Sequence, residues 1–182
     1  MANVNIKDWK KIPNLISIFR IVFIPLTIYL FENISENRWF VILILVVFSL
    51  LDNLDGFAAR KLNQITEFGK VIDPLIDKLF VITISVQLFL IDLIPRWFFF
   101  LVVARDLIIM FAGLLFIKKF KSVPPSDFIG KLTVGAIGCV FLFSLLDFQK
   151  LNMIYNLSLI ITTFLINLSL INYGFKQFKR YK

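Results

Sequence analysis

Four aspartates stand where an otherwise apolar chain should avoid them. Residues 52–77 read Asp52-Asn-Leu-Asp55-Gly56-Phe-Ala-Ala59-Arg60, eight further residues, then Gly69-Lys-Val-Ile-Asp73-Pro-Leu-Ile-Asp77, and long apolar runs adjoin both pairs. A carboxylate near a membrane core is costly, so it is rare there and functional by default. Asp52 and Asp55 are three apart, Asp73 and Asp77 four apart, so on helices each pair shares a face. Two antiparallel helices joined by residues 61–68 would bring the pairs together. Four clustered carboxylates cannot all stay ionised without a cation. A hard divalent ion, Mg²⁺ or Mn²⁺, suits an all-oxygen site and normally keeps water or takes substrate phosphate. Gly56 removes a side chain beside Asp55 and permits close approach of a bulky ligand. Arg60, one turn further on, offers a planar fork for phosphate. The bland alternative is a set of helix-end carboxylates in salt bridges with Arg60, Lys61, Lys70 and Lys78. One pair alone would favour that alternative; two pairs with Gly56, Arg60 and Gly69 between them argue for an enzyme.

The elements that must position these carboxylates are membrane helices. The chain has 182 residues, 59% of them hydrophobic and 18% charged, with a mean hydropathy of +0.85. Its apolar stretches repeatedly reach the roughly 20 residues a helix needs to cross a bilayer. The reading is an all-α integral membrane protein, one domain over 1–182, with six transmembrane helices at Ile12–Phe31, Trp39–Leu62, Gly69–Leu93, Arg96–Ile117, Ser126–Leu146 and Asn152–Tyr173. The N-terminal span carries Arg20 and Pro25 and no small-residue cleavage site follows it, so it reads as a span and not a cleaved signal. Residues 1–11 are a juxtamembrane segment, either an interfacial helix with Trp9 at headgroup level or a frayed tail.

Lys/Arg placement orients the bundle. Residues 31–38, 93–96 and 147–151 hold three such cations (Arg38, Arg96, Lys150), whereas the opposite side holds thirteen, among them Lys7, Lys10, Lys11, Lys118, Lys119, Lys121 and the C-terminal cluster. The positive-inside rule then makes both termini cytoplasmic and puts the aspartates at the cytoplasmic mouth of spans 2 and 3. The net charge of +8 reads as topology and attraction to anionic lipid; with no basic soluble domain, nucleic acid is not an expected partner. Histidine is absent and Cys139 is the only cysteine, which removes histidine-based catalysis and any internal disulfide. Cys139 lies in an apolar run and is expected to be a buried, inert thiol.

Asp-x2-Asp-Gly-x2-Ala-Arg-x8-Gly-x3-Asp-x3-Asp is the signature of the CDP-alcohol phosphotransferases, and every fixed position matches here. Within that family the segments Ile12-Pro13-Asn14-Leu-Ile-Ser17-Ile-Phe-Arg20 and Phe68-Gly-Lys-Val-Ile-Asp-Pro-Leu-Ile-Asp-Lys-Leu79 most resemble bacterial phosphatidylglycerophosphate synthases. The likeness covers nearly the whole chain and thins after about residue 135. It implies a polar cavity open to the cytoplasm, in an enzyme of the inner (cytoplasmic) membrane. There a phosphatidyl group would pass from CDP-diacylglycerol to sn-glycerol 3-phosphate, giving phosphatidylglycerophosphate and CMP. By the resemblance, Asp52, Asp55, Asp73 and Asp77 bind a pair of divalent ions, Mg or Mn, and Asp77 is also the general base. Gly56, Arg60 and Thr66 match positions contacting the CDP portion, and Asn14 and Ser17 match a stretch lining the nucleotide site.

The acceptor half is less defined. Arg20, Arg105 and Lys131 lie within spans, and cations converging on one cavity would suit an acceptor phosphate. Their alternatives are an internal pair of Arg105 with Asp106, snorkelling for Lys131, and a structural role for Arg20. Relatives often carry Arg-Glu where this chain has Arg105-Asp106, and Gly-Lys-x-Lys-Thr where it has Gly130-Lys131-Leu132-Thr133-Val134, so a second lysine is missing. Rival readings keep the chemistry and change the acceptor, to phosphatidylglycerol as in a cardiolipin synthase or to inositol phosphate. Another class is a divalent-cation transporter, which predicts carboxylates near the bilayer midplane and access from both sides. Gly135 and Gly138 are expected to serve close packing within the monomer, with a homodimer as the other use of such a face.

Overall fold

A chain surrounded by lipid must satisfy its backbone polar groups internally, and each apolar run here does so as a helix. The computed structural model describes residues 11–62, 66–120, 128–146 and 152–181. The helices are α1 (Ile12–Phe31), α2 (Ile34–Lys61), α3 (Glu67–Leu90), α4 (Arg96–Phe120), α5 (Phe128–Leu145) and α6 (Asn152–Tyr181). All regular structure among the described residues is helical. The juxtamembrane segment before residue 11 lies outside them.

Four stretches are long and apolar enough to cross a membrane: Ile12–Phe31, Ile34–Ala58, Phe128–Leu145 and Met153–Phe175. The helices α3 and α4, of 24 and 25 residues, are also of spanning length. Five charges interrupt each of them: Glu67, Lys70, Asp73, Asp77 and Lys78 in α3, and Arg96, Arg105, Asp106, Lys118 and Lys119 in α4. The candidate site residues Asp73, Asp77 and Arg105 are among the charges that weaken the hydropathy of these two helices. Large apolar side chains cover the outside, including Trp39, Phe40, Leu43 and Leu50 on α2 and Ile160, Phe164 and Ile171 on α6. Such a surface calls for lipid as solvent, and the chain is a multi-pass membrane protein.

The described chain falls into two compact units, Met1–Gln87 and Leu88–Lys182. In the first, α1 packs along α2. Val41, Ile44 and Phe48 recur at helical spacing on α2, as do Ile76, Phe80 and Ile84 on α3, and all six are buried. Phe48 and Phe80 stack with ring centroids 3.7 Å apart. In the second unit α6 packs on both α4 and α5. Polar side chains tie α5 to α6: Thr133 donates to the Leu165 carbonyl at 3.2 Å and Thr162 to the Ala136 carbonyl at 3.4 Å, the interhelical bonding that packing without water favours.

Three expectations are corrected. The second helix begins at Ile34, not Trp39, and residues 31–38 are mostly helix with a two-residue turn at Glu32-Asn33. The Asn33 carbonyl accepts from the amides of Glu36 and Asn37; polar residues outside the apolar run can still form a first helical turn when Asn precedes and Glu sits within it. Cys139 is exposed on the apolar outer surface of α5, not buried inside the protein. Gly135 and Gly138 do not mediate close packing among the described residues, where a Cβ at either would meet nothing within 4 Å.

Candidate functional site: carboxylates gathered on a buried arginine

Pro25 shapes the first wall of the site. It has no amide to donate to the Ile21 carbonyl, and its ring crowds that carbonyl. The chain responds with a 3₁₀ turn at Arg20–Val22 between two α-helical segments of α1. Asn14, Ser17 and Arg20 recur every three residues and form one polar ridge on an otherwise apolar helix. All three are buried, Arg20 completely at 0% exposure.

Arg20 gathers the two aspartate-bearing helices. Its Nη1 donates to Asp52 Oδ1 on α2 at 3.0 Å and to Asp77 Oδ1 on α3 at 2.6 Å. The guanidinium also lies over the Phe48 ring, 5.1 Å from its centroid, and Phe48 is the residue stacked on Phe80. Phe48 precedes Asp52 by four residues and Phe80 follows Asp77 by three, so the aromatic floor lies one helical turn from each carboxylate. A cation–π contact and two charge-assisted hydrogen bonds hold one fully desolvated charge. The Asp52 and Asp77 side chains remain 47% and 35% exposed, so their outer oxygens are reachable.

Asp73 lies deeper. The Ser17 hydroxyl donates to the Pro13 carbonyl at 3.1 Å, while Asp73 Oδ1 is buried with no hydrogen-bond partner among the described residues. Such an orphaned oxygen is costly unless something else binds it. Beside it, Thr66 caps α3: its Oγ1 accepts from the Gly69 amide at 2.9 Å, the usual bond from an N-cap to the third helical residue. The Asn14 Nδ2 donates to the same Oγ1 at 3.0 Å, tying the start of α1 to the start of α3. Gly69 is required by crowding. A Cβ there would come within 2.6 Å of Asn14 Oδ1, 3.1 Å of Thr66 Oγ1 and 3.4 Å of Asp73 Oδ2.

The structure therefore brings Asn14, Ser17, Arg20, Asp52, Thr66, Gly69, Asp73 and Asp77 into one constellation. Gly56 lies on α2 and is partly exposed; the side chains of Asp55 and Arg60 lie outside the described residues. Among the described residues no three acidic side chains converge in a metal-holding arrangement, and Asp55, the fourth carboxylate of the signature, is outside that set. The donor set nonetheless suits a hard divalent ion: all oxygens, two partly exposed carboxylates, and one buried oxygen without a partner. Arg20 as a bridge between motif carboxylates is what the sequence reading missed. The one available signal was the three-residue spacing of Asn14, Ser17 and Arg20, which aims the arginine along the same ridge as residues already assigned to the site.

In the second unit, Arg105 and Asp106 form a buried pair on α4, with Arg105 Nη2 donating to Ser169 Oγ on α6 at 3.2 Å. Both are at most 2% exposed, so the internal pair weighed as the alternative for Arg105 is present. Lys131 is exposed at the start of α5. A cavity of about 470 Å³, lined by Asp92, Leu93, Ile94, Pro95, Arg96, Tyr155 and Asn156, holds none of the motif residues.

Comparison with known proteins agrees with the signature. A family model described as CDP-alcohol phosphatidyltransferase matches residues 10–168. A CDP-diacylglycerol–glycerol-3-phosphate 3-phosphatidyltransferase of Aquifex aeolicus is 35% identical over 175 residues, covering 92% of this chain and 96% of that protein. A Bacillus subtilis protein of the same name is 30% identical over 139 residues, 69% of this chain and 71% of its own. A cardiolipin synthase (CMP-forming) of Streptomyces coelicolor is 31% identical over 127 residues, 66% of this chain and 58% of its own. With an intact signature spread over α2 and α3 and a family match across most of its length, the chain belongs to the CDP-alcohol phosphatidyltransferase family.

Proposed function

We propose that this protein transfers a phosphatidyl group from CDP-diacylglycerol to sn-glycerol 3-phosphate, releasing CMP and phosphatidylglycerophosphate. The observation that carries the reading is the gathering of Asp52 and Asp77, from the two halves of the signature, on one buried cation. The relative from Aquifex aeolicus, matched nearly end to end, bears that activity in its name. Asp52, Asp55, Asp73 and Asp77 would hold divalent metal, Mg or Mn and two ions by resemblance, which when bound neutralises the donor pyrophosphate and the departing CMP phosphate.

The chain's own residues supply the rest. Asp77, with a partly exposed carboxylate, takes the proton of the acceptor hydroxyl. The hydroxyl oxygen then attacks the phosphorus that bears diacylglycerol, and the bond from that phosphorus to CMP breaks with its electron pair leaving on CMP. Asn14, Thr66 and Gly69 fix the start of α3, so that Asp73 and Asp77 keep their register with Asp52. Arg60, Gly56 and Ser17 are assigned to the CDP portion. Arg105, Lys131 and Arg20 are the candidates for the acceptor phosphate, as cations lying within spans. The active site and both termini face the cytoplasm, in a six-span protein of the cytoplasmic membrane whose polar cavity opens to that side. Thirteen Lys/Arg against three across the loops support this orientation.

A second reading, transfer to phosphatidylglycerol, is favoured by the likeness to a cardiolipin synthase over two-thirds of the chain. An acceptor panel separates the two. Purified protein with CDP-diacylglycerol and Mn²⁺ should yield phosphatidylglycerophosphate with glycerol 3-phosphate and no cardiolipin with phosphatidylglycerol. The opposite product pattern would replace the first reading by the second.

A further inference from the structure

Arg20 has no reason in ordinary membrane packing to sit fully buried in the first span. A guanidinium keeps its charge at any physiological pH, so burial must be compensated by fixed anions. Here the anions are Asp52 and Asp77, with the Phe48 face beneath. Asp73 is close enough to feel the same charge. Two carboxylates from different helices thus engage one cation, which leaves a net negative charge on this trio. A divalent ion drawn to these carboxylates would meet oxygens that Arg20 already engages, and two cations on the same oxygens repel. Arg20 and the metal therefore compete. With 0% exposure the guanidinium cannot swing into water, but the Phe48–Phe80 stack offers a surface along which it can withdraw while keeping its cation–π contact.

We propose that Arg20 is a positioning residue that acts as an internal counter-cation: it bridges Asp52 and Asp77 before metal arrives and yields at least one of them when metal binds. The inference rests on the metal reading of the aspartates and reassigns Arg20 from the acceptor phosphate to the carboxylates. Before metal binds, Arg20 suppresses repulsion between α2 and α3 and keeps the ligands in register. Once metal binds, the fork it has withdrawn is an anion-binding group set at the rim of the metal site.

Mn²⁺ titration of the purified protein in detergent, without nucleotide or lipid substrate, tests this. Arg20→Gln removes the competitor, so Mn²⁺ should bind roughly tenfold more tightly than to the wild type, the size of one charge-assisted contact. The same variant should unfold at a lower temperature than wild type in EDTA, and the gap should narrow at saturating Mn²⁺. Wild type that binds Mn²⁺ alongside an Arg20→Gln protein that binds it equally or more weakly overturns this proposal alone; wild type that binds none overturns the metal reading with it. Should Arg20→Gln fail to fold in EDTA, Arg20→Lys decides. A point charge reaches one carboxylate, so Mn²⁺ should bind that variant more tightly than wild type, and equal or weaker binding overturns the proposal.

Discussion

At the scale of single residues, the site is a set of carboxylate oxygens placed by hydrogen-bonded neighbours, Arg20 for Asp52 and Asp77 and the Asn14–Thr66–Gly69 link for the start of α3. Asp77 is proposed as both base and ligand, and the two roles would separate in kinetics. Asp77→Asn should lower turnover by orders of magnitude while CDP-diacylglycerol binding stays measurable in an equilibrium binding assay, since the remaining carboxylates still hold metal. Binding lost in step with rate would make Asp77 chiefly a ligand. Gly69→Ala probes the crowding directly. The new methyl would press on Asn14 Oδ1 from 2.6 Å, and overpacking of this kind costs about 1–3 kcal/mol. The variant should show a lowered unfolding temperature and a clear fall in activity, and wild-type values for both would mean that the Asn14–Thr66 link is not rigid. The carboxylates and Gly69 were legible in the sequence because their types and spacing carry the information. Arg20 was legible only as a buried charge, because which oxygens it reaches depends on how α1 is rotated against α2 and α3. No spacing encodes that rotation.

At the scale of elements, each helix end and break has a local cause. Pro25 produces the 3₁₀ turn that carries Arg20, and Thr66 closes the N-terminus of α3. Thr66→Val keeps the shape but removes the cap and leaves the Asn14 amide without its acceptor. Loss of a cap costs about 1 kcal/mol, and leaving the buried amide unmet adds to it, so thermal unfolding should show a fall larger than a cap alone would give. On α4, Arg105→Ala would remove the guanidinium paired with the Asp106 carboxylate at 1% exposure, and breaking such a buried pair typically costs about 3–5 kcal/mol. Replacing both by leucine should restore most of the lost stability, because two apolar residues need no partner there. A double variant less stable than the single one would contradict the pairing seen here. Helix positions were readable from apolar run length, with described starts within a few residues of the expected ones except on α2, and with the expected start at Ser126 outside the described residues. There the polar segment 34–38 lies beyond the apolar run, and its helicity comes from the turn at Glu32-Asn33. The outward placement of Cys139 was not readable, since α5 is apolar on every side and its periodicity does not tell lipid from core.

For the whole molecule, the apolar exterior describes a multi-pass membrane protein, and the charge asymmetry of the loops supports the proposed orientation, with the chemistry at the cytoplasmic surface. In a Cys139→Ala background, Arg96→Cys should react with a membrane-impermeant maleimide in intact cells, whereas Lys182→Cys should react only after the membrane is opened. Reaction of both in intact cells would overturn the orientation. The six-helix all-α organisation was legible because composition admits few folds in lipid. The acceptor was not, because Arg105 and Lys131 are the kind of charges that serve either a ligand or the fold. The central claim is that the aspartates run a metal-dependent transfer from CDP-diacylglycerol, and CMP release by purified protein supplied with glycerol 3-phosphate tests it most directly. The account predicts no CMP in EDTA, full release when Mg²⁺ or Mn²⁺ is restored in excess, and none from Asp52→Asn or Asp73→Asn proteins that still insert and purify. Undiminished CMP release in EDTA would contradict it.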